Sequence, residues 1–392
     1  MPPEPHHRGW EHATLVTGGA GLLALAATYG IGRQVYGLFV PEFRTEFGMS
    51  LDEVGFFAGA AQIGFLVMIP VAGWATSRFG ALVPVVSGCV VLAAGAVLVA
   101  AAPGTAVLGI GLIAAGASAG GTWAPFSDAV AQQVPVDDHG RALALVNAGA
   151  PIGLMFASVV ALAAGEHWRI AWAVFAGLGF AAAVANLRVL RSERAGGTTQ
   201  RWGLRGLVGR RSARLFAVTS GISFASGVYF TFAPEAAQAG GLAGWIGPAM
   251  WAVLGAAGGA VGIFTGDVAR RSPLWPAMAA TLAAVAASLI MISLGAGSWV
   301  VVLGSAALFG IGFTAGFALI VIWSQHVFPE RPAAGFTVVI LFLAGGFALG
   351  PTLVGVLAEA FGRDTALLVA GVPALLAGGI APARPDRWVG DV

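Results

Sequence analysis

Charged residues are scarce in this chain of 392 residues, and lysine is absent. Asp, Glu, Lys and Arg together make up 10% of the sequence, compared with about 25% in a typical soluble domain. Apolar residues make up 58%, and runs of about 20 of them, the length that crosses a bilayer as a helix, recur along the whole chain. The composition therefore excludes a soluble globular protein and predicts a membrane protein with many spans.

Cysteine is nearly absent as well, since Cys89 is the single one, and this excludes a disulfide bond within the chain. The sequence also has no HExxH zinc motif, no phosphate-binding P-loop and no paired metal-binding acids, so we predict no metal and no cofactor. Residues 116–120 match the G-x-S-x-G nucleophile motif. They lie inside an apolar run, without the strand–turn–helix context of a serine hydrolase, and we therefore predict that the protein is not an enzyme.

Apolar segments of membrane-spanning length occur twelve times along the chain. Turn residues separate neighbouring segments, for example Pro103-Gly104 between the third and the fourth. The twelve predicted transmembrane helices of this all-α protein cover approximately residues 14–38, 51–75, 82–102, 104–132, 142–164, 169–190, 213–236, 242–265, 275–296, 299–326, 334–358 and 365–383.

Arginine is distributed unevenly between the loops that join these spans. If both termini are cytoplasmic, the cytoplasmic segments hold 16 arginines and the outer loops hold three. Basic residues accumulate in the cytoplasmic loops of membrane proteins, so the sequence predicts cytoplasmic termini. Because this asymmetry accounts for the basic residues, the positive net charge gives no indication of nucleic-acid binding.

One short segment occurs twice, half a chain length apart. Residues 35–42 and 228–235 both read V-Y-x-x-F-x-P-E, with an offset of 193 residues that covers six predicted spans. The sequence therefore predicts two six-helix halves with the same topology, which is a recurrent design of secondary transporters. The predicted domains are an N-terminal half (1–190), a basic cytoplasmic linker (191–212) and a C-terminal half (213–392).

Proline is part of this repeated segment in both halves. The residue before a proline disfavours helical conformation. We therefore expect the first and the seventh helix to end near Val40 and Ala233, just before Pro41 and Pro234.

With twelve spans, a basic central linker and two related halves, the chain resembles the major facilitator superfamily over nearly its whole length. The family's loop motif after the second helix, G-x-x-x-D-R-x-G, corresponds here to Gly73, Ser77, Arg78 and Gly80, with Ser77 in place of Asp. The equivalent loop of the second half keeps an acid, Asp267. Within the family, the chain looks most like bacterial members described as efflux permeases.

This resemblance implies a secondary active transporter that works by alternating access. It also implies a multi-pass protein of the bacterial cytoplasmic membrane that acts as a monomer, with a small-molecule substrate and with protons as the candidate coupling ion. Helices 1, 4, 7 and 10 would line the cavity, and Arg78 and Asp267 would take part in coupling or gating.

Two charged residues lie well inside predicted spans, where a charge is costly and usually has a partner or faces a cavity. Arg33 lies roughly 10 Å to the outer side of the middle of helix 1. It is either a contact for an anionic or polar substrate or a structural side chain that snorkels to the interface. Asp128 on helix 4 is either a proton-coupling or gate residue, with Arg141 as its candidate partner, or part of a hydrated helix end.

Four aromatic residues complete the candidate substrate-binding set, which also contains Arg33. Tyr36 and Tyr229 occupy matching positions of the repeat and form either an outer gate or two interface anchors. Trp123 and Trp251 lie deep in their spans and either stack on a substrate or pack in the core.

The function favoured by the sequence is export of a small apolar or amphipathic molecule. The helices expected to line the cavity consist mostly of Ala, Gly and aromatic residues, which suits apolar recognition with few fixed polar contacts. The alternative is uptake of a small, monocarboxylate-like organic anion with Arg33 as its counter-ion. A channel or a sensor would leave the two-half design and the charged linker unexplained.

Overall fold

The computed structural model describes residues 5–192, 209–271 and 274–380. Within these ranges, the side chains of residues 5–13, 210–211, 262–271 and 332–333 are outside the description. Most of the described chain is helical, and eleven described helices are long and apolar enough to cross a membrane. A shorter apolar helix, Ile246–Val261, lies at the position of the eighth predicted span. The predicted all-α membrane fold is therefore confirmed.

The α-helices are numbered in chain order. They are α1 (Pro5–Leu25), α2 (Val40–Phe47), α3 (Leu51–Phe79), α4 (Leu82–Ala100), α5 (Thr105–Ser118), α6 (Trp123–Gln133), α7 (His139–Ala164), α8 (Trp168–Val189), α9 (Arg210–Ala239), α10 (Ile246–Arg271), α11 (Leu274–Gly295), α12 (Trp299–Val327), α13 (Pro332–Phe361), α14 (Arg363–Ala370) and α15 (Val372–Ile380). Helix 1 of the sequence therefore corresponds to α1 and its continuation, helix 4 to α5 and α6, and helix 7 to α9.

The chain divides into two compact units. The first comprises Met1–Tyr36 and Ala61–Gln200, and the second comprises Gly37–Ala60 and Arg201–Val392. Residues 37–60 belong to the first half of the sequence repeat, yet they pack with the second unit. The predicted domain boundary at the linker 191–212 was based on the sequence repeat and not on these contacts, and it stays a prediction. Residues 193–208 of the linker lie outside the described residues.

Two helices of the first unit change their winding where they meet. After α1 the chain continues as a π-helix over Ala26–Arg33, and a 3₁₀ turn over Ala119–Gly121 separates α5 from α6. The buried hydroxyl groups of Thr28 and Thr122 form a hydrogen bond of 2.8 Å between these two irregular segments. Because π-helical segments occur frequently at functional sites, this junction marks the part of the first unit that contains its candidate site.

The repeated V-Y-x-x-F-x-P-E segment folds differently in its two copies. In the first copy a new helix, α2, begins at Val40 with Pro41 in its first turn, where a proline costs no hydrogen bond. In the second copy α9 continues through Pro234 to Ala239. The expectation that helices end near Val40 and Ala233 is therefore wrong in both places. Buried packing on both sides of Pro234, including Ala233 and Ala236, outweighs the missing backbone donor.

Glycines bring residues 37–60 close to α9 and α13 in the second unit. A Cβ atom on Gly37 would collide with the carbonyl oxygen of Phe230, and one on Gly55 would collide with that of Pro351. The same α3–α13 contact contains a hydrogen bond of 3.2 Å from the Leu51 amide to Glu359 Oε2. The backbones are therefore in direct contact at this junction, with no side chain between them.

Candidate functional site

Arg33 ends the π-helix, and three neighbouring side chains orient its charge. Its Nε atom donates to Gln62 Oε1 at 3.2 Å. The guanidinium carbon lies 4.3 Å from the ring centre of Phe65 and 5.8 Å from that of Tyr29, within the range of cation–π attraction. These contacts thus hold the guanidinium in one place, as a fixed polar contact for a substrate requires. The role of Gln62 escaped the sequence reasoning, because nothing in its position along the chain indicates that it faces Arg33.

Trp123 begins α6 directly after the irregular segment at Ala119–Gly121. Its Nε1 atom donates to Asn147 Oδ1 on α7 at 2.9 Å, and its side chain is partly exposed. The indole is therefore oriented by a hydrogen bond while part of its ring surface stays accessible. This arrangement is compatible with the predicted stacking role, which stays a prediction.

Six aromatic side chains from four helices form one group in the second unit. Phe230 lies at the centre, with centroid distances of 5.0 Å to Phe309, 5.4 Å to Phe313 and 5.9 Å to Trp251. Phe313 is partly exposed, whereas Phe230 and Phe309 are buried. We call this group the aromatic cluster; its members are Tyr229, Phe230, Trp251, Phe309, Phe313 and Phe347.

Two members of the predicted binding set, Tyr229 and Trp251, lie within this aromatic cluster and are fully buried. Tyr229 stacks on Phe309 at 4.0 Å between ring centres, and its hydroxyl shares a hydrogen bond of 2.9 Å with Ser305. Tyr36 is partly exposed and belongs to the first unit. The outer-gate role of the two tyrosines stays a prediction.

A charged cluster that the sequence reasoning missed lies where α2, α9 and α14 meet. Glu235, only 3% exposed, accepts a hydrogen bond from Arg44 and lies 3.6 Å from Arg363 Nη1. Arg44 also donates through Nε to the carbonyl oxygen of Met49 at 3.0 Å. Arg363 donates through Nε to Asp364 Oδ1 at 3.2 Å. We call Arg44, Glu235 and Arg363 the charged cluster.

The repeat contains a second acid, Glu42, close to this charged cluster in sequence. Burial raises the pKa of the Glu42 carboxyl above its usual range, and its own backbone amide partly offsets that rise. The two glutamates of the repeat therefore have different surroundings. Glu235 has two arginine partners, whereas Glu42 Oε2 is buried and has no hydrogen-bond partner among the described residues.

Three of the four predicted coupling and gate residues belong to the first unit. Asp128 on α6 and Arg78 in the last turn of α3 are exposed. Arg141 forms an ion pair with Asp138, with 3.7 Å between Nη1 and Oδ1, in place of the contact with Asp128 that the sequence had suggested. The side chain of Asp267 lies outside the described residues. The coupling and gating roles of these four residues stay predictions.

Two features of the described residues therefore have the chemistry of a small-molecule site. These are the fixed guanidinium of Arg33 in the first unit and the aromatic cluster in the second. Among the residues that the structure describes, no group of three or more His, Cys, Asp or Glu side chains could hold a metal ion.

Comparison with known proteins agrees with this architecture. A family model described as the Major Facilitator Superfamily matches residues 22–334. A variant of the nucleoside transporter NupG has a similar structure, with a TM-score of 0.79 at 12% identity over 94% of this chain and 98% of that one. No match was found among curated proteins.

Two further solved structures are similar at equally low identity. A bacterial homologue of the human lysosomal transporter Spinster, in an inward-facing and occupied conformation, has a TM-score of 0.75 at 14% identity, covering 95% of this chain and 96% of that one. A variant of the peptide transporter POT in complex with sulfate has a TM-score of 0.73 at 13% identity, covering 94% and 93%. Identities this low show a shared fold and do not transfer a substrate.

Proposed function

Since this chain belongs to the major facilitator superfamily, we propose that it is a secondary active transporter that exports a small apolar or amphipathic molecule by alternating access. Family membership and fold make the protein a multi-pass membrane transporter of small molecules. The direction of transport and the substrate class are the proposal. We also propose the bacterial cytoplasmic membrane as its location, protons as the coupling ion and a monomer as the working form.

The aromatic cluster is the observation that carries the proposed substrate class. Its rings come from α9, α10, α12 and α13 and offer a large apolar surface, with partly exposed Phe313 at its edge. Apolar and aromatic walls with a few polar groups are typical of sites for small lipophilic molecules. The similar structures include nucleoside and peptide transporters, so their names select no single substrate class for this chain.

The junction between residues 37–60 and the rest of the second unit supports alternating access. In the predicted orientation it lies on the outer side of the membrane. Opening at that side would require Gly37 and Gly55 to separate from α9 and α13, and the charged cluster to break. With these glycine contacts and the charged cluster formed, the outer side is closed. A transporter that alternates between two conformations needs a closed state of this kind, which either forms completely or breaks.

A second candidate function is favoured by Arg33 and Gln62. A guanidinium that is oriented by a hydrogen bond and two rings is a ready counter-ion for a carboxylate. On this basis the protein would take up a small organic anion. The aromatic cluster has no evident part in that function.

Transport measurements on membrane vesicles distinguish the two candidates. Everted vesicles with an imposed proton gradient are supplied with a lipophilic fluorescent dye, and right-side-out vesicles are supplied with radiolabelled benzoate. Export predicts gradient-dependent dye accumulation that is reduced by Phe313→Ala and retained in Arg33→Gln. Uptake of an anion predicts benzoate accumulation that is lost in Arg33→Gln. Gradient-independent movement of both probes would overturn both candidates.

A further inference from the structure

Two polar atoms beside the central ring of the aromatic cluster are buried without a hydrogen bond. Ser226 and Trp251 are 0% exposed, and neither Ser226 Oγ nor Trp251 Nε1 has a hydrogen-bond partner among the described residues. Buried polar groups in proteins are nearly always paired, because an unpaired donor loses its bonds to water without replacement. Two such groups next to the same ring therefore call for a physical explanation.

The hydroxyl of Ser226 differs from other hydroxyls on the same helix. Thr219, Ser223 and Thr231 each donate to the carbonyl four residues earlier, at 2.8, 2.6 and 2.8 Å. This backbone bond is the usual way in which a helix satisfies a buried serine or threonine. The hydroxyl of Ser226 does not make it and is therefore free to bond to something else.

Both unpaired groups adjoin Phe230. Ser226 precedes Phe230 by four residues on α9, so the two side chains lie one turn apart on the same helix face. The ring of Trp251 meets that of Phe230 edge to face, with 5.9 Å between centroids and 78° between planes. Ser226 and Trp251, the two residues with an unpaired polar group, are thus both neighbours of Phe230.

The rings around Phe230 are arranged at right angles. Phe309 and Phe313 are nearly parallel, with an interplanar angle of 5°, and Phe230 is inclined to them by 85° and 83°. Faces and edges of aromatic rings attract each other in this geometry, so a planar aromatic guest would find complementary surfaces. Because Phe313 is partly exposed, its side of the cluster is where a guest would enter.

We propose that the aromatic cluster, together with Ser226, is a subsite for an uncharged planar aromatic group that carries a carbonyl acceptor. The carbonyl oxygen would accept from the indole N–H, which can only donate, and from the Ser226 hydroxyl. The aromatic part would pack against Phe230 and Phe313. This subsite rests on the proposed export function, since it names the class of molecule that the transporter would bind.

A pair of matched probes tests the proposal. The full-length protein in lipid nanodiscs is dialysed to equilibrium against radiolabelled 2-acetylnaphthalene or 2-ethylnaphthalene, and uptake by empty nanodiscs is subtracted. The two probes have similar shapes, and only the first has an acceptor. Since the loss of a buried hydrogen bond changes affinity by about tenfold, the acetyl compound should bind about tenfold more tightly.

Conservative variants assign this difference to the two donors. Trp251→Phe and Ser226→Ala should each reduce the preference for the acetyl probe, and the double variant should abolish it without weakening binding of the ethyl probe. Phe313→Ala should weaken binding of both probes. Trp299→Phe removes an exposed indole at the start of α12 and should change neither affinity. Thermal unfolding of the free variants checks that each one folds.

The proposal is overturned if the wild type binds both probes equally or if both donor variants keep the preference for the acetyl probe. Its failure is distinguishable from failure of the export function. Dye export without a donor-dependent probe preference would reject the subsite alone. A donor-dependent preference in a protein that moves neither dye nor probe against a gradient would reject export alone.

Discussion

Glu235 shows how strongly one carboxylate in this protein depends on its neighbours. It is almost completely buried, and both of its arginine partners are partly exposed, with side-chain exposures of 32% for Arg44 and 21% for Arg363. A buried charge is tolerated only when its partners compensate for the lost hydration. The three residues are therefore energetically coupled, and a substitution of one changes the contribution of the other two to stability.

Replacing Glu235 by Gln should destabilise the protein. The change leaves two arginines facing each other without the carboxylate between them, at a cost of roughly 1–3 kcal/mol after allowance for the exposure of the arginines. Thermal unfolding should show a lower midpoint, and amide hydrogen exchange over α2 should become faster. Asp364→Asn is the matched control, because that side chain is 61% exposed, and it should change both measurements very little. Unchanged exchange in Glu235→Gln would mean that the charged cluster does not hold α2 in place.

Glu42 should make stability dependent on pH. Its pKa in the folded protein is raised above the unfolded value, so the stabilising contribution of its protonated form is present at low pH and is lost as pH rises through the folded pKa. Glu42→Gln imitates the protonated form at every pH. The variant should therefore be more stable than the wild type at neutral pH, with a difference that shrinks as pH falls through the folded pKa towards the ordinary glutamate value of about 4.3. Midpoints of thermal unfolding measured between these values test this, and a constant difference would contradict it.

At the scale of helices, glycine decides how closely the segment at residues 37–60 can pack. The α3–α13 contact places Gly55 against the backbone of Pro351 and Gly355, and Thr352 Oγ1 donates to the Gly55 carbonyl at 3.3 Å. Membrane helices have little hydrophobic drive to associate with one another, so close backbone approach is a main source of their affinity. This contact therefore depends on the absence of a side chain at Gly55.

Gly55→Ala should weaken the α3–α13 contact, because its methyl group would overlap the Pro351 carbonyl, a backbone atom that cannot move aside cheaply. We expect a loss of roughly 1–3 kcal/mol, seen as a lower unfolding midpoint and faster hydrogen exchange at the start of α3. Gly73→Ala on the same helix is the control, since nothing lies within 4 Å of its added methyl group. The control should be neutral or slightly stabilising because alanine favours helix. Equal midpoints for the two variants would refute the argument.

The sequence predicted helices better than it predicted their interruptions. Long apolar runs identified the spans, because length and hydrophobicity are local properties. The π-helix at Ala26–Arg33 escaped prediction, and so did the passage of α9 through Pro234. Both depend on packing with residues that are distant along the chain. The same applies to the aromatic cluster, where Phe230 meets Phe313 and Trp251 only in the folded unit.

At the scale of the whole molecule, composition and the repeat were enough to identify the family and the fold class, and both predictions are confirmed. The candidate site was only partly foreseen. Arg33, Trp123 and Trp251 were selected because they are unusual within a span. The partners that define their chemistry, such as Gln62 and Asn147, are ordinary polar residues whose importance comes from position alone.

The orientation of the whole molecule can be tested by cysteine labelling, because Cys89 is buried and gives a low background. The predicted topology places Thr45 outside the cell and Ser192 inside, and both side chains are exposed. A membrane-impermeant maleimide should label Thr45→Cys in intact cells and Ser192→Cys only after lysis. The opposite pattern would invert the topology and the proposed direction of export with it.

The contact between Gly37 and Phe230 has an evolutionary consequence. These residues occupy the same position of the repeat, 193 residues apart, so the chain touches its own copy there. In a symmetric dimer of two identical halves, that position would meet itself across the two-fold axis. A side chain at position 37 would collide with the backbone of Phe230, so phenylalanine cannot occupy both positions. Once the halves were fused, the first copy could have glycine while the second has an aromatic ring, and a protein rebuilt from two copies of the second half could not form this contact.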